Sequence, residues 1–211
     1  PEDPVDVLGG YPDPVVHDLD NHLVGPDAPW FASKVFDTFD GGKLGVIGFS
    51  NTDIPVLTAP GSLGPFSLVD PAAAVNTEAA RLRSKGVGTI IAIGHLGATG
   101  GSLTAPTGPL AEFASSLTNV DAVLGDHTNQ QALATLANGT LVTENLSKGS
   151  RFTRVRLVID TATKTVVYKT ADIHKPWNIG RTPDPAIQSR LDALSAELAP
   201  ILGTLVGNST V

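Results

Sequence analysis

The 211-residue chain contains no cysteine and no methionine, and only 5% of it is aromatic. Without cysteine, disulfides, thiolate zinc sites and cysteine nucleophiles are all excluded. The absence suits an exported protein, but many cytosolic proteins share it, so it decides no compartment. Basic residues are also scarce: 14 Lys and Arg stand against 21 Asp and Glu, for a net charge of −7 and a pI of about 5.0. That deficit speaks against a duplex nucleic-acid partner, whose phosphates need Lys and Arg. An acidic protein can still hydrolyse phosphates if bound cations reverse the local charge. No apolar run approaches the roughly 20 residues that span a bilayer, and no basic stretch followed by an apolar one marks a signal peptide. The chain opens on Pro1 rather than Met, and a processed or excised piece of a longer protein is expected.

What is present is an ordinary globular balance, 41% hydrophobic and 17% charged, which argues against disorder. Residues 1–30, rich in Pro, Asp and Gly, read as an irregular head. Lys43–Ser50, Thr89–Ile93 and Val120–Leu124 are short apolar runs, the pattern of strands buried on both faces, and 140–143 reads as a fourth. Asp70-Pro71 and Asp184-Pro185 each pair an N-cap with a proline at the first helical position. They predict helices over 71–85 and 185–199, the first ended by Gly86 and the second kinked or ended by Pro200. A further helix is expected over 109–118. Strands separated by helices imply an α/β fold with a mostly parallel sheet. Phe152–Asp160 alternates and turns back into 165–170, an antiparallel hairpin extending one edge.

Among five histidines, two share a position type. His95 follows the 89–93 strand and His127 follows the 120–124 strand, each close behind a glycine, Gly94 or Gly125. Loops at the carboxyl ends of parallel strands are where ligands bind in such sheets. Two imidazoles there, with the Asn129 carboxamide, form an N/O donor set for a divalent metal. On spacing alone, surface or capping histidines remain the commoner reading, and Asp126 reads as a turn residue ahead of a partner to the histidines. Glu144, Asn145, Lys148 and Gly149 read as solvated loop ahead of a site rim. His174-Lys-Pro-Trp177 reads as a packing anchor, and His17 and His22 as surface residues. Asn138-Gly-Thr, Asn145-Leu-Ser and Asn208-Ser-Thr match the glycosylation pattern, which chance also produces.

Three blocks carry a resemblance. Gly45-Val-Ile-Gly-Phe-Ser50, Ile91-Ala-Ile-Gly-His-Leu-Gly97 and Val120-Asp-Ala-Val-Leu-Gly-Asp-His-Thr-Asn129 resemble, in order and spacing, the 5′-nucleotidase branch of the calcineurin-like metallophosphoesterases, over about residues 30–205. Gly94 stands where that family has Ser, Asp126 where it has Gly, and Asn129 where it has His or Gln. The resemblance implies an αββα sandwich of which this chain is the second half. It places that half at 31–180, with 181–211 as a helix leading to a C-terminal nucleotide-binding domain. It implies two divalent ions (Zn, Mn or similar) in the complete enzyme, with His95 and His127 on one ion and Asn129 on the other. The family's domain opens with Asp-x-His, Gly-Asp and Gly-Asn-His-Asp/Glu blocks, and these are read as absent before His95, the one Gly-Asp being Gly125-Asp126. The bridging Asp and the remaining ligands are therefore expected in a missing N-terminal half. Alone, the chain is then expected to bind metal weakly or partially and to be inactive, with no catalytic residue of its own assigned. The substrate implied is a nucleotide or other phosphate ester, and the location secreted, periplasmic or cell-envelope. A non-catalytic metal-binding or scaffold module is the alternative.

Overall fold

The computed structural model describes residues 16–17, 33–38, 41–64, 67–177, 179–205 and 207. It divides into two compact units, Pro1–Pro176 and Trp177–Val211. In chain order the first unit holds β1 (Val16–His17), β2 (Ser33–Asp37), β3 (Lys43–Phe49), α1 (Ile54–Leu57), α2 (Pro71–Ser84), β4 (Thr89–Gly94), β5 (Gly100–Ser102), β6 (Ala105–Thr107), α3 (Pro109–Ser115), β7 (Ala122–Leu124), β8 (Gln131–Thr135), β9 (Leu141–Asn145), β10 (Phe152–Ile159) and β11 (Val166–His174). The second unit holds α4 (Pro185–Leu202).

The main sheet has seven strands in the order β1-β2-β3-β4-β7-β9-β8. Its centre, β3-β4-β7-β9, is parallel throughout, with Leu44 opposite Thr89, Ile91 opposite Ala122, and Ala122 opposite Leu141. β2 and β1 add antiparallel on one side and β8 on the other. The central strands are apolar at successive positions because both faces are covered. Ile47, Ile90, Ala92, Val123 and Val142 face α2 and α3, meeting Val75, Ala79, Leu82, Leu110 and Phe113 in the larger core. Ile91, Ala122, Leu124 and Leu141 face the other way, against Val155 of β10 and Ala171 of β11. Leu82 is wholly buried; Leu82→Ala would cost about 2–5 kcal/mol by loss of burial and the cavity left behind.

The parallel α/β architecture is as expected, and the layers of the first unit run helices, sheet, hairpin. The 152–160/165–170 hairpin is present, but it is a two-stranded sheet of its own. It packs on the open face of the main sheet rather than lengthening an edge, because Val155 and Ala171 bury better against Ala122 and Leu141 than a rim position would allow. Four short strands (β2, β5, β6 and β8) and the turn-long α1 escape the hydrophobic pattern, and β1 falls in the head read as irregular. Both expected caps form: Asp70 Oδ1 accepts from Ala72 N at 3.0 Å, and Asp184 Oδ1 from Ala186 N at 2.9 Å. Pro200 does not end α4. It lies inside the helix, which continues to Leu202; so near the terminus the hydrogen bond it forgoes is one a fraying last turn would often lose.

Candidate functional site

The carboxyl ends of β4, β7 and β9 lie side by side, so the segments that leave them are forced together. Two glycines make that approach possible. A Cβ on Gly125 would come within 2.5 Å of the Leu96 carbonyl oxygen, and one on Gly97 within 2.6 Å of the Asp126 carbonyl oxygen. The loops are tied by Asp126 N donating to Leu96 O at 3.0 Å, and by Gly125 N donating to Thr143 O at 2.9 Å.

Beneath them lies Glu144, which is 1% exposed. Its Oε2 accepts from Ala98 N at 2.7 Å, and its Oε1 is 2.8 Å from the Thr128 hydroxyl, which also reaches the Ala98 carbonyl at 2.5 Å. One carboxylate therefore fastens the loop after β4 to the loop after β7. This corrects the expectation of a solvated loop for Glu144 and Asn145, while Lys148 and Gly149 do lie in an exposed turn. Glu144 and Asn145 belong to β9, and Asn145, Lys148 and Gly149 line the cleft described below. The one sequence clue to the burial of Glu144 was its spacing two positions after Val142, which puts both on the same side of the strand.

On this support His95 and His127 meet. His127 Nδ1 lies 2.9 Å from His95 Nε2, with the rings in an edge-on arrangement at 4.6 Å between centroids. His95 Nδ1 is in turn 2.5 Å from Asp126 Oδ1. Asp126 is thus a partner to His95, not only the turn residue its sequence position suggests. An N–H at Nδ1 is the one that donates to this carboxylate, and that tautomer leaves the Nε2 lone pair on the side of His127. His127 holds its ring there from a backbone φ of 91°, a left-handed conformation that costs of order 1 kcal/mol or more outside glycine.

His95, Asp126, His127 and Asn129 line one open cleft of about 360 Å³. A second cleft, about 510 Å³, shares His95 and Asp126 with the first and adds the apolar walls Phe49, Ile93, Leu124 and Phe152. Two nitrogens 2.0–2.1 Å from one zinc are about 2.9 Å apart at right angles and about 3.3 Å in a tetrahedron. The spacing of the imidazole nitrogens therefore suits one divalent ion as well as a direct hydrogen bond. The donor set goes no further: among the described residues no group of three or more His, Cys, Asp or Glu could hold a metal ion. A pair of ions sharing a carboxylate does not fit these residues alone.

The other flagged residues lie elsewhere. His174 stacks on Phe152 with centroids 5.1 Å apart, while Trp177 is 71% exposed and anchors no core. Asn138 is no free acceptor for a glycan: its Nδ2 donates to Ala114 O at 2.8 Å and its Oδ1 accepts from Thr140 N at 3.1 Å. Asn145 accepts from the Thr153 hydroxyl. Asn208, His22 and the side chain of His17 lie outside the described residues. So does Asp20-Asn-His22, which has the Asp-x-His spacing of the family's opening motif and corrects the expectation that every upstream motif is missing.

No protein-family model matches the chain. It is 27% identical over 174 residues, 82% of its length, to the protein named endonuclease YhcR of Bacillus subtilis. It is 29% identical over 147 residues, 64% of its length, to the cell wall protein Lmo0130 of Listeria monocytogenes. It is 35% identical over 97 residues, 46% of its length, to a 5′-nucleotidase of Diplobatis ommata. It spans only 14%, 18% and 15% of those relatives. Its fold matches a 5′-nucleotidase precursor of Thermus thermophilus with a TM-score of 0.64 at 17% identity, covering 85% of this chain and 36% of that one. It matches the calcineurin-like phosphoesterase YfkN of Bacillus subtilis at 0.63 and 16%, covering 82% and 57%. The chain is thus similar in sequence to a protein named a 5′-nucleotidase, and in fold to a 5′-nucleotidase and a calcineurin-like phosphoesterase.

Proposed function

We propose that this chain supplies one side of the metal centre of a phosphoester hydrolase acting on nucleotides or related phosphate esters. The observation that carries the reading is the meeting of His95 Nε2 and His127 Nδ1 at 2.9 Å beside the ends of two adjacent parallel strands. In this reading His95, His127 and Asn129 are donors to divalent ions such as zinc or manganese. Two ions act in the complete enzyme, and this chain alone holds them weakly or in part. When bound, such ions polarise the phosphate and supply hydroxide at neutral pH. The chain's own residues do the positioning: Asp126 orients His95, and Glu144 holds the two loops in register.

A bridging carboxylate and the remaining ligands come from the N-terminal half of the domain, the partner this reading requires. Residues 31–180 then form the second half of the catalytic domain, and 181–211 lead toward a nucleotide-binding domain. The relatives named for nucleotidase and endonuclease activity support hydrolysis of phosphate esters. The one named a cell wall protein supports a secreted, periplasmic or envelope location. No described helix is long and apolar enough to cross a membrane.

A second reading, a metal-binding or scaffold module without catalysis, is favoured by the incomplete donor set. Zinc titration by calorimetry and assays with nucleoside monophosphates separate the two. The 211-residue chain is expected to bind one ion weakly, to lose that binding in His95→Ala or His127→Ala, and to keep it in His174→Ala. Alone it turns over negligibly; supplied with the N-terminal half, it gains chelator-sensitive hydrolysis. No gain on complementation leaves the scaffold reading, and zinc binding indifferent to both histidines sinks the metal assignment altogether.

A further inference from the structure

We infer that Arg151 is the anion-binding residue of this cleft, with Lys148 beside it, and that it takes the phosphate group of an organic phosphate monoester. The inference deepens the phosphoester reading above and rests on it for the identity of the anion. Asn145, the last residue of β9, and Arg151, at the end of the loop that follows, border both clefts together with His95 and Asp126. A group bound where the two meet would lie among His95, Asp126, Asn145 and Arg151.

Among the described residues three of the chain's seven arginines are held in ion pairs. Arg81 pairs with Glu78 at 2.6 Å, Arg83 with Asp121 at 2.8 Å and Arg154 with Asp172 at 3.1 Å. Half-buried Arg151 instead donates one N–H to the Ser150 carbonyl at 2.7 Å. The acid nearest in the cleft, Asp126, is already engaged by His95. A tight turn places both cations: Ser150 N donates to Ser147 O at 3.1 Å across Lys148 and Gly149, whose φ values are 59° and 66°. Lys148 then stands at the tip and Arg151 at the foot, entering β10. A planar guanidinium with four N–H groups still to place matches two oxygens of a phosphate at once. The apolar walls Phe49, Ile93 and Phe152 of the larger cleft offer contact to the organic part of an ester, which inorganic phosphate lacks.

The test uses the 211-residue chain with chelator present, so that no bound ion contributes. Inorganic phosphate and phenyl phosphate are titrated separately, following backbone amide shifts. Expected are shifts at Gly149, Ser150 and Arg151, with phenyl phosphate binding more tightly than phosphate. Arg151→Gln should weaken both by about tenfold, the loss of a charge-assisted hydrogen bond. Arg151→Lys, which keeps the charge but not the fork, should fall between the two, and Arg190→Gln on α4 should change nothing. Wild-type affinity in Arg151→Gln, or phenyl phosphate binding no more tightly than phosphate, would overturn the inference. Zinc titration tests the metal reading independently: loss of zinc binding with anion binding intact would condemn that reading and leave Arg151 standing.

Discussion

Asp126 Oδ1 stands 2.5 Å from His95 Nδ1, and that contact determines which nitrogen of His95 is free to face His127. A carboxylate on one imidazole nitrogen fixes the tautomer and the ring orientation and raises the basicity of the other. Long-range proton–nitrogen correlation spectra should find the His95 proton on Nδ1 in the neutral ring. Asp126→Ala should redistribute it toward Nε2 and weaken zinc binding by about tenfold or more, while Asp126→Asn, which keeps an acceptor oxygen, should restore part of both. A wild-type His95 protonated on Nε2 would show the contact to be incidental.

Glu144 is expected to matter more for stability than for charge. Glu144→Ala strands the Ala98 N–H and removes a partner of the Thr128 hydroxyl inside the fold, at a cost of about 1–3 kcal/mol per buried group left unsatisfied. Urea denaturation should show the midpoint falling with the slope unchanged. A loss within a few tenths of a kcal/mol would mean that water replaces the carboxylate.

His127 holds a conformation suited to glycine, φ 91°. His127→Gly should therefore be more stable than His127→Ala by about 1 kcal/mol, since only glycine relieves the backbone. Both variants lose the imidazole, so zinc binding should fall equally in the two. Equal stability of the pair would place the strain elsewhere.

The turn joining β10 to β11 is expected to be acid-sensitive. Asp160 has its pKa lowered from the ordinary aspartate value, first by the Thr163 backbone N–H, then by that of Ala162 and the Thr163 side chain. Its Oδ1 accepts both amides at 2.8 Å. Because the folded value lies below the unfolded one, this contribution is fully present above the unfolded pKa and is lost as pH falls through the folded one. Amide temperature coefficients at Ala162 and Thr163 should rise in that acid window, and Asp160→Ala should show the raised values at every pH.

Much of the frame was legible along the chain. Lys43–Phe49, Thr89–Gly94 and Ala122–Leu124 are central strands whose apolar residues follow one another, a pattern that a sequence displays directly. Asp70-Pro71 and Asp184-Pro185 announced their helices because capping is local chemistry. β8 was not legible: Gln131–Thr135 has one large apolar residue, Leu133, between two alanines, and it is a strand because the edge of β9 offers it hydrogen bonds. The hairpin of β10 and β11 was readable as a hairpin, while its seat on the sheet's open face depended on Ala122 and Leu141 being there to receive it.

The same division holds at the site. The spacing of His95 and His127 behind two strands was enough to single them out, since strand ends of a parallel sheet share one rim. That their ring nitrogens approach within 2.9 Å came only from the neighbouring order of β4 and β7 and the close loop packing that Gly97 and Gly125 permit. Asp126 and Glu144 read as an ordinary turn residue and an ordinary loop acid because their partners, His95, Ala98 and Thr128, lie 16 to 46 positions away. Local sequence determines which segments become strands and helices. Which polar side chains meet is decided by the order in which those strands lie side by side.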